Sequence, residues 1–169
     1  YEIYADSNAI KNIWTTILGS EESVTPAGLG CRDTLRMEMK YVLYGNDISE
    51  KTNPIEAGLG WITKTNKTSF VGKEKLLDFQ LSHSKKLICF AMIDRGIPRP
   101  GYKIHSDQGV IGSVTSGTQS PSLKKGIGLA YVKKEFSKVG TSLLIDVRGR
   151  ELRCEVVKPP FYKNGSVFS

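Results

Sequence analysis

The sequence predicts an α+β protein, with a first part built on helices and then a small antiparallel β-barrel of six strands. Three observations predict it. Before residue 83, apolar residues recur at three- and four-residue spacing. From Lys86 onward the period shortens to that of strands. That second stretch holds six short apolar segments in about 75 residues, separated by Gly and Pro and nearly without helix.

Residues 1–4 read as a short strand. Asp6 or Ser7 caps a helix that runs to about Leu18. Ala9, Ile10, Ile13, Trp14, Ile17 and Leu18 fall on one face of it, and Gly19 ends it. Pro26-Ala27-Gly28-Leu29-Gly30 is a tight approach to a second helix near residues 31–39. Leu35 and Met39 lie one turn apart there, and Arg32, Arg36 and Lys40 form a basic ridge beside them. Gly45-Asn46-Asp47 is a turn, and Pro54 opens a short helix. Trp61-Ile62 reads as a buried strand. A third helix covers residues 73–81, with Leu76, Leu77 and Gln80 turned inward. The expected strands are 86–93, 101–105, 109–115, 127–132, 142–147 and 151–158, with a hairpin turn at Arg148-Gly149-Arg150-Glu151. The parts divide at 1–83 and 84–169, and with no long linker they are expected to pack together.

The 169 residues are 39% hydrophobic and 24% charged, which excludes a disordered tail and a collagen-like chain. No apolar run approaches the roughly 18 residues that cross a membrane. Cys31, Cys89 and Cys154 are odd in number and far apart. They form neither a disulfide framework nor a metal knuckle, and read as buried thiols in a reducing compartment. The first residues carry neither an initiator Met nor signal-peptide character, so the chain reads as a piece of something longer.

Charge is uneven. Residues 1–80 carry nine Lys+Arg against eleven Asp+Glu, whereas residues 81–169 carry fifteen against six. Such a basic second part attracts nucleic acid, an acidic protein or a polyanionic small molecule, or is a solvated face with no dedicated partner. No helix-turn-helix, KH or RNP signature accompanies it, and no aromatic interleaving of the kind a single-strand groove uses, so nucleic acid is not the expected partner.

Neither His83 nor His105 has metal ligands at the right spacing, and no serine stands in a nucleophile elbow. Gly28, Gly30, Gly58 and Gly60 match no dinucleotide or phosphate-loop pattern. Glu2 and Arg32 stand out. The Glu2 carboxylate, between an aromatic and an apolar residue, either faces solvent or points into a polar pocket. Arg32 opens a helix, where the macrodipole opposes a cation, so it needs a carboxylate partner or a ligand.

From Gly28-Leu29-Gly30-Cys31-Arg32-Asp33-Thr34-Leu35-Arg36 the chain resembles the aminomethyltransferases of the glycine cleavage system, the T-proteins. The likeness continues through Leu43-Tyr44-Gly45-Asn46-Asp47, Pro54-Ile55-Glu56-Ala57-Gly58 and Gly96-Ile97-Pro98-Arg99-Pro100-Gly101. It goes on through Ile111-Gly112-Ser113-Val114-Thr115-Ser116-Gly117 and Gly126-Ile127-Gly128-Leu129-Ala130, and ends with Lys158-Pro159-Pro160-Phe161. The resemblance covers essentially the whole chain but only the C-terminal half of the family. It implies that residues 1–83 are the remaining part of a folate-binding α/β domain and that 84–169 are the barrel.

The resemblance also implies a reaction. The lipoyl arm of the H-protein carries an aminomethyl group whose carbon passes to tetrahydrofolate, giving 5,10-methylenetetrahydrofolate and ammonia. Positioning and electrostatics carry it, without a covalent enzyme intermediate. By motif, Glu2 hydrogen-bonds the pterin, Arg32 lines the folate site and Lys163 is the basic contact of the tail. Cys31 stands where the family's motif has Ala. The family's catalytic aspartate lies upstream of this chain, so no catalytic residue is assigned here, and the chain by itself is expected to be inactive. Asp33, Asp47 and Asp94 are expected to be structural, at a helix start, a turn and a strand end. The implied partners are tetrahydrofolate as co-substrate and lipoylated H-protein, with no metal, nucleic acid or membrane. The compartment is the cytoplasm in a bacterium or the mitochondrial matrix in a eukaryote. Two other readings share these motifs. One is the folate module of a sarcosine- or dimethylglycine-type demethylating oxidase; the other is a non-enzymatic folate- or RNA-binding relative.

Overall fold

Alternation along one strand explains most of the architecture. In β1 (Lys85–Met92), Ile88, Phe90 and Met92 point to one face, and Leu87 and Cys89 to the other, yet all five are buried. A strand buried on both faces needs a core on each side. The computed structural model, which describes residues 1–20 and 23–164, supplies both. The chain forms two compact units, Tyr1–Arg32 and Asp33–Ser169.

In the second unit the strands are β1, β2 (Lys103–Ser106), β3 (Gly109–Ser120), β4 (Lys125–Lys133), β5 (Ser142–Val147) and β6 (Arg150–Val157). They close into a barrel in the order β1-β4-β3-β2-β5-β6, with every neighbouring pair antiparallel. Phe90, Ile104, Ile145 and Val156 are among the side chains filling the interior. Phe90 pairs in register with Gly128, and its ring occupies the space a side chain at 128 would need. A Cβ there would lie 2.3 Å from Phe90 Cζ. Outside, Leu87, Cys89, Ile127 and Leu129 form a second core with Met37 from α2 (Leu29–Glu38). The predicted barrel is therefore present. β3 is longer than expected because Ser116–Ser120, polar and glycine-bearing, carries no hydrophobic signal, yet it pairs with Lys125–Leu129 beyond a bulge.

The segment between α2 and β1 departs from expectation. Trp61 and Ile62 are no buried strand; they lie in exposed turns, Trp61 at 75% exposure. The Pro54 segment is a hydrogen-bonded turn, closed by Leu59 N–H donating to Pro54 O at 2.8 Å, and does not propagate into a helix. α3 (Lys73–Ser82) forms where predicted, but it buries no side chain, and Leu77 and Gln80 are exposed.

The first unit holds α1 (Ser7–Leu18). Asp6 caps it, accepting from the backbone N–H of Asn8 and Ala9 at 3.0 Å. Its predicted apolar face exists, yet Ile10, Trp14, Ile17 and Leu18 are exposed. Residues 1–4 are not the expected strand: they pair with none of the described strands. Cys31 is exposed, which corrects its reading as a buried thiol; Cys89 and Cys154 are buried. Among the described residues no helix is long and apolar enough to cross a membrane.

Candidate functional site

Within the first unit the structure brings Glu2 and Arg32 together. Arg32 Nη2 donates to Glu2 Oε1 at 3.4 Å, and the Tyr4 hydroxyl donates to Oε2 at 2.6 Å. That hydrogen bond to Glu2 holds the Tyr4 phenol above its ordinary pKa. Glu2 and Arg32 are 66% and 74% exposed. An ion pair so open to water contributes little to stability. Its carboxylate and guanidinium are available to a ligand that offers paired donors or an anionic group. Of the two readings left open for Arg32, the carboxylate partner is thus present.

Lys163 lies in the second unit and is exposed. The chain after β6 is fixed just before it, where Tyr162 N–H donates to Glu38 O at 3.0 Å. Glu38 is itself buried, accepting from the Ser120 and Ser122 hydroxyls at 2.5 and 3.0 Å. The anchored tail helps to form a groove of about 480 Å³. Its walls are Lys40, Tyr41 and Val42 after α2, Leu59 and Trp61 from the exposed turns, and Pro159 and Pro160 from the tail. Tyr41 and Trp61 are more than half exposed. Flat aromatic and proline surfaces around a shallow groove suit a flat heterocycle. The sequence did not single out Tyr41 and read Trp61 as part of a buried strand, so neither was marked as a groove residue.

The basic ridge expected on α2 does not exist as one surface. Arg32 is exposed, whereas Arg36 is drawn into a network. Arg36 Nε donates to Asp33 Oδ1 at 2.8 Å, Nη1 to Asp47 Oδ2 at 2.6 Å and Nη2 to the Ser116 hydroxyl at 2.9 Å. Asp47 is fully buried and also accepts from the Thr115 hydroxyl at 2.5 Å and Leu43 N–H at 2.9 Å. Asp94 follows β1 and takes a two-oxygen grip from Arg153, which holds its carboxyl below the ordinary range.

Beside β1, β4 and β6 a larger open groove of about 1150 Å³ is lined by Arg95, Lys124 and Lys125, with Gln119 and Glu155 beside them. None of these three cations forms an ion pair among the described residues. Among those residues no group of three or more His, Cys, Asp or Glu is placed to hold a metal.

This architecture has close relatives. Residues 85–163 match the family described as the glycine cleavage T-protein C-terminal barrel domain, and residues 1–67 match the GCVT N-terminal domain. A protein of Bacteroides thetaiotaomicron named Aminomethyltransferase is 52% identical over 168 residues, which is 96% of this chain and 46% of that protein. One of the same name from Porphyromonas gingivalis is 52% identical over 169 residues, covering 96% of this chain and 47% of its own. The chain thus spans about half the length of the curated relatives it matches. The crystal structure of glycine cleavage system aminomethyltransferase T from Bartonella henselae superposes with a TM-score of 0.85 at 30% identity, over 92% of this chain and 44% of that one. Motif order, barrel and relatives agree, and the chain belongs to the glycine cleavage T-protein family.

Proposed function

We propose that the protein to which this chain contributes is a tetrahydrofolate-dependent aminomethyltransferase. It moves the aminomethyl carbon from the lipoyl arm of H-protein to tetrahydrofolate, leaving dihydrolipoyl on the carrier and releasing ammonia. The observation that carries this reading is the 52% identity, over nearly the whole chain, to proteins named Aminomethyltransferase. Tetrahydrofolate supplies the acceptor nitrogens. This chain's residues bind and orient. The Glu2 carboxylate accepts paired N–H donors from the aminopyrimidine edge, and Arg32 exchanges its weak bond to Glu2 for a polar group of the same ligand. In the second unit, Lys163 offers a cation from the tail. The second unit by itself also holds the groove at Tyr41 and Trp61, whose flat surfaces suit a heterocycle. The reading is supported in each unit by itself, by the exposed Glu2–Arg32 pair in the first and by the aromatic groove in the second. Catalysis then comes from holding the acceptor in place, which lowers the entropic part of the barrier.

The division into a folate-binding part, 1–83, and a barrel, 84–169, belongs to this reading; it is supported by β1 starting at Lys85 and by the barrel family's match from residue 85. The basic barrel receives an acidic H-protein, and bacterial relatives point to a cytoplasmic location. In this reading the chain by itself is inactive, since it assigns no catalytic carboxylate. The test is tetrahydrofolate binding by calorimetry on the full-length protein and its Glu2→Gln variant. Removing the charge from a charge-assisted bond, worth about 1.5–3 kcal/mol, is expected to weaken binding roughly ten- to a hundredfold. Equal affinities would remove Glu2 from the site, and no binding by either protein would remove the folate reading.

A further inference from the structure

Asp47 is a turn residue by sequence, and a Gly-Asn-Asp turn needs no buried carboxylate. Yet its side chain is fully buried and binds three separate parts of the fold. Oδ1 accepts from Thr115 of β3 at 2.5 Å. Oδ2 accepts from Arg36 of α2 at 2.6 Å and from Leu43 N–H at 2.9 Å. Its backbone carbonyl takes the Tyr131 hydroxyl of β4 at 3.0 Å. A buried ion pair is commonly no more stabilising than apolar residues of the same shape, so such a network serves geometry before stability.

That geometry reaches the aromatic groove. Tyr41 is held by Arg36 on both sides of its peptide. Tyr41 N–H donates to Arg36 O at 2.8 Å, and Arg36 Nη1 donates to Tyr41 O at 3.3 Å. Two residues on, Leu43 N–H is held by Asp47. Residues 41–43 are therefore strapped to the barrel at both ends, and Tyr41 and Val42 are one wall of the groove. We infer that Asp47, acting through Arg36 and Leu43, is a positioning residue that fixes this wall for its ligand. A wall that drifts by about 1 Å loses much of what a preorganised site contributes. The inference rests on the folate reading for the identity of that ligand.

The test uses the full-length protein with Asp47→Asn, Thr115→Val and Thr115→Ser. Two readouts are taken: KM for tetrahydrofolate beside KM for lipoylated H-protein, and hydrogen exchange of the amides in residues 39–47. Thr115→Val removes the hydroxyl that Asp47 accepts, and Thr115→Ser keeps it. The expected result is a KM for tetrahydrofolate raised about tenfold or more in Asp47→Asn and severalfold in Thr115→Val, near normal in Thr115→Ser, with KM for H-protein within twofold throughout. Exchange in residues 39–47 rises in the same order. Folded variants with lower melting temperature but unchanged KM for tetrahydrofolate would overturn the positioning role. Should Asp47→Asn not fold, the Thr115 pair decides it alone. If the unmodified protein binds no tetrahydrofolate, the folate reading fails, and the exchange data still decide whether Asp47 fixes the wall: unchanged exchange overturns it.

Discussion

The three thiols show how far one residue type can differ within a chain. Burial pushes Cys89 up to about 12, with Asp47 adding to the effect and Lys40 opposing it. Burial alone pushes Cys154 up to about 12. Thiols so protonated are not nucleophiles at neutral pH, whereas Cys31 stands exposed. At pH 8 a thiol reagent is therefore expected to modify Cys31 quickly and the other two only at the rate of unfolding. Mass spectrometry of the modified peptides checks this, and fast labelling of Cys89 would contradict its burial. The same shifts set an alkaline limit. The folded state keeps these protons after the unfolded chain, with thiols near 9, has released them. Their contribution is complete below about pH 9 and declines as pH rises towards about 12. The slope is at most ~1.4 kcal/mol per pH unit for each thiol. Tyr131, also raised to about 12 chiefly by burial, adds to the decline above its ordinary value of 10.0. Denaturant titrations at pH 8, 9.5 and 10.5 should show progressively lower midpoints, and constant midpoints would mean that these groups are hydrated in the folded state.

At the scale of elements, the β5–β6 hairpin is the clearest case of a turn fixed by backbone sterics. Arg148 and Gly149 both have positive φ, 56° and 82°, as a two-residue loop matching the twist of its strands requires. Gly149 adopts that conformation freely, and Arg148 at a steric cost of roughly 1–2 kcal/mol. Asparagine tolerates it, so Arg148→Asn is expected to raise stability by about 1 kcal/mol, read as a higher denaturation midpoint at an unchanged slope. A lower midpoint would mean that Arg148 makes a contribution its exposure does not suggest. This turn was legible in the sequence, as were all six strands, because Gly and Pro punctuation and a period of two are local signals. α1, α2 and α3 were legible from another local signal, apolar spacing of three and four residues. What each element packs against was not. An apolar face was read on α1 and inward-turned residues on α3, yet Trp14 and Leu77 are exposed, since periodicity marks a face without naming what covers it. The Ser116–Ser120 end of β3 was hidden because its strand character comes from β4 alone. The site divides likewise. Glu2 and Arg32 were marked by their local oddity, while Asp47 depends on Thr115, 68 residues away, a pairing that one sequence does not display.

Over the whole molecule, the dominant feature is a basic barrel that leaves many of its cations unpaired. Lys124, Lys125, Lys133 and Lys134 form no ion pair among the described residues. Lys85, by contrast, is held by Glu56 at 3.4 Å and lies over the Tyr131 ring, and Arg153 is held by Asp94. Paired cations have little field left to project, so in the proposed reading any steering would come from the unpaired ones. Their effect would be on the rate of encounter with an acidic H-protein more than on the strength of the finished complex. Changing all four lysines to glutamine is expected to slow association of the full-length protein with H-protein by about tenfold at low salt. The difference should shrink towards nothing well above 0.15 M salt, where the Debye length falls below about 8 Å. Glutamine keeps most of each side chain's length and apolar stem, so lost packing would not produce a salt-dependent change. Stopped-flow association rates across a salt series separate the outcomes. A rate that is slower and loses its salt dependence assigns the barrel's charge to steering. A rate unchanged at low salt removes these lysines, and with them most of the groove's charge, from the encounter.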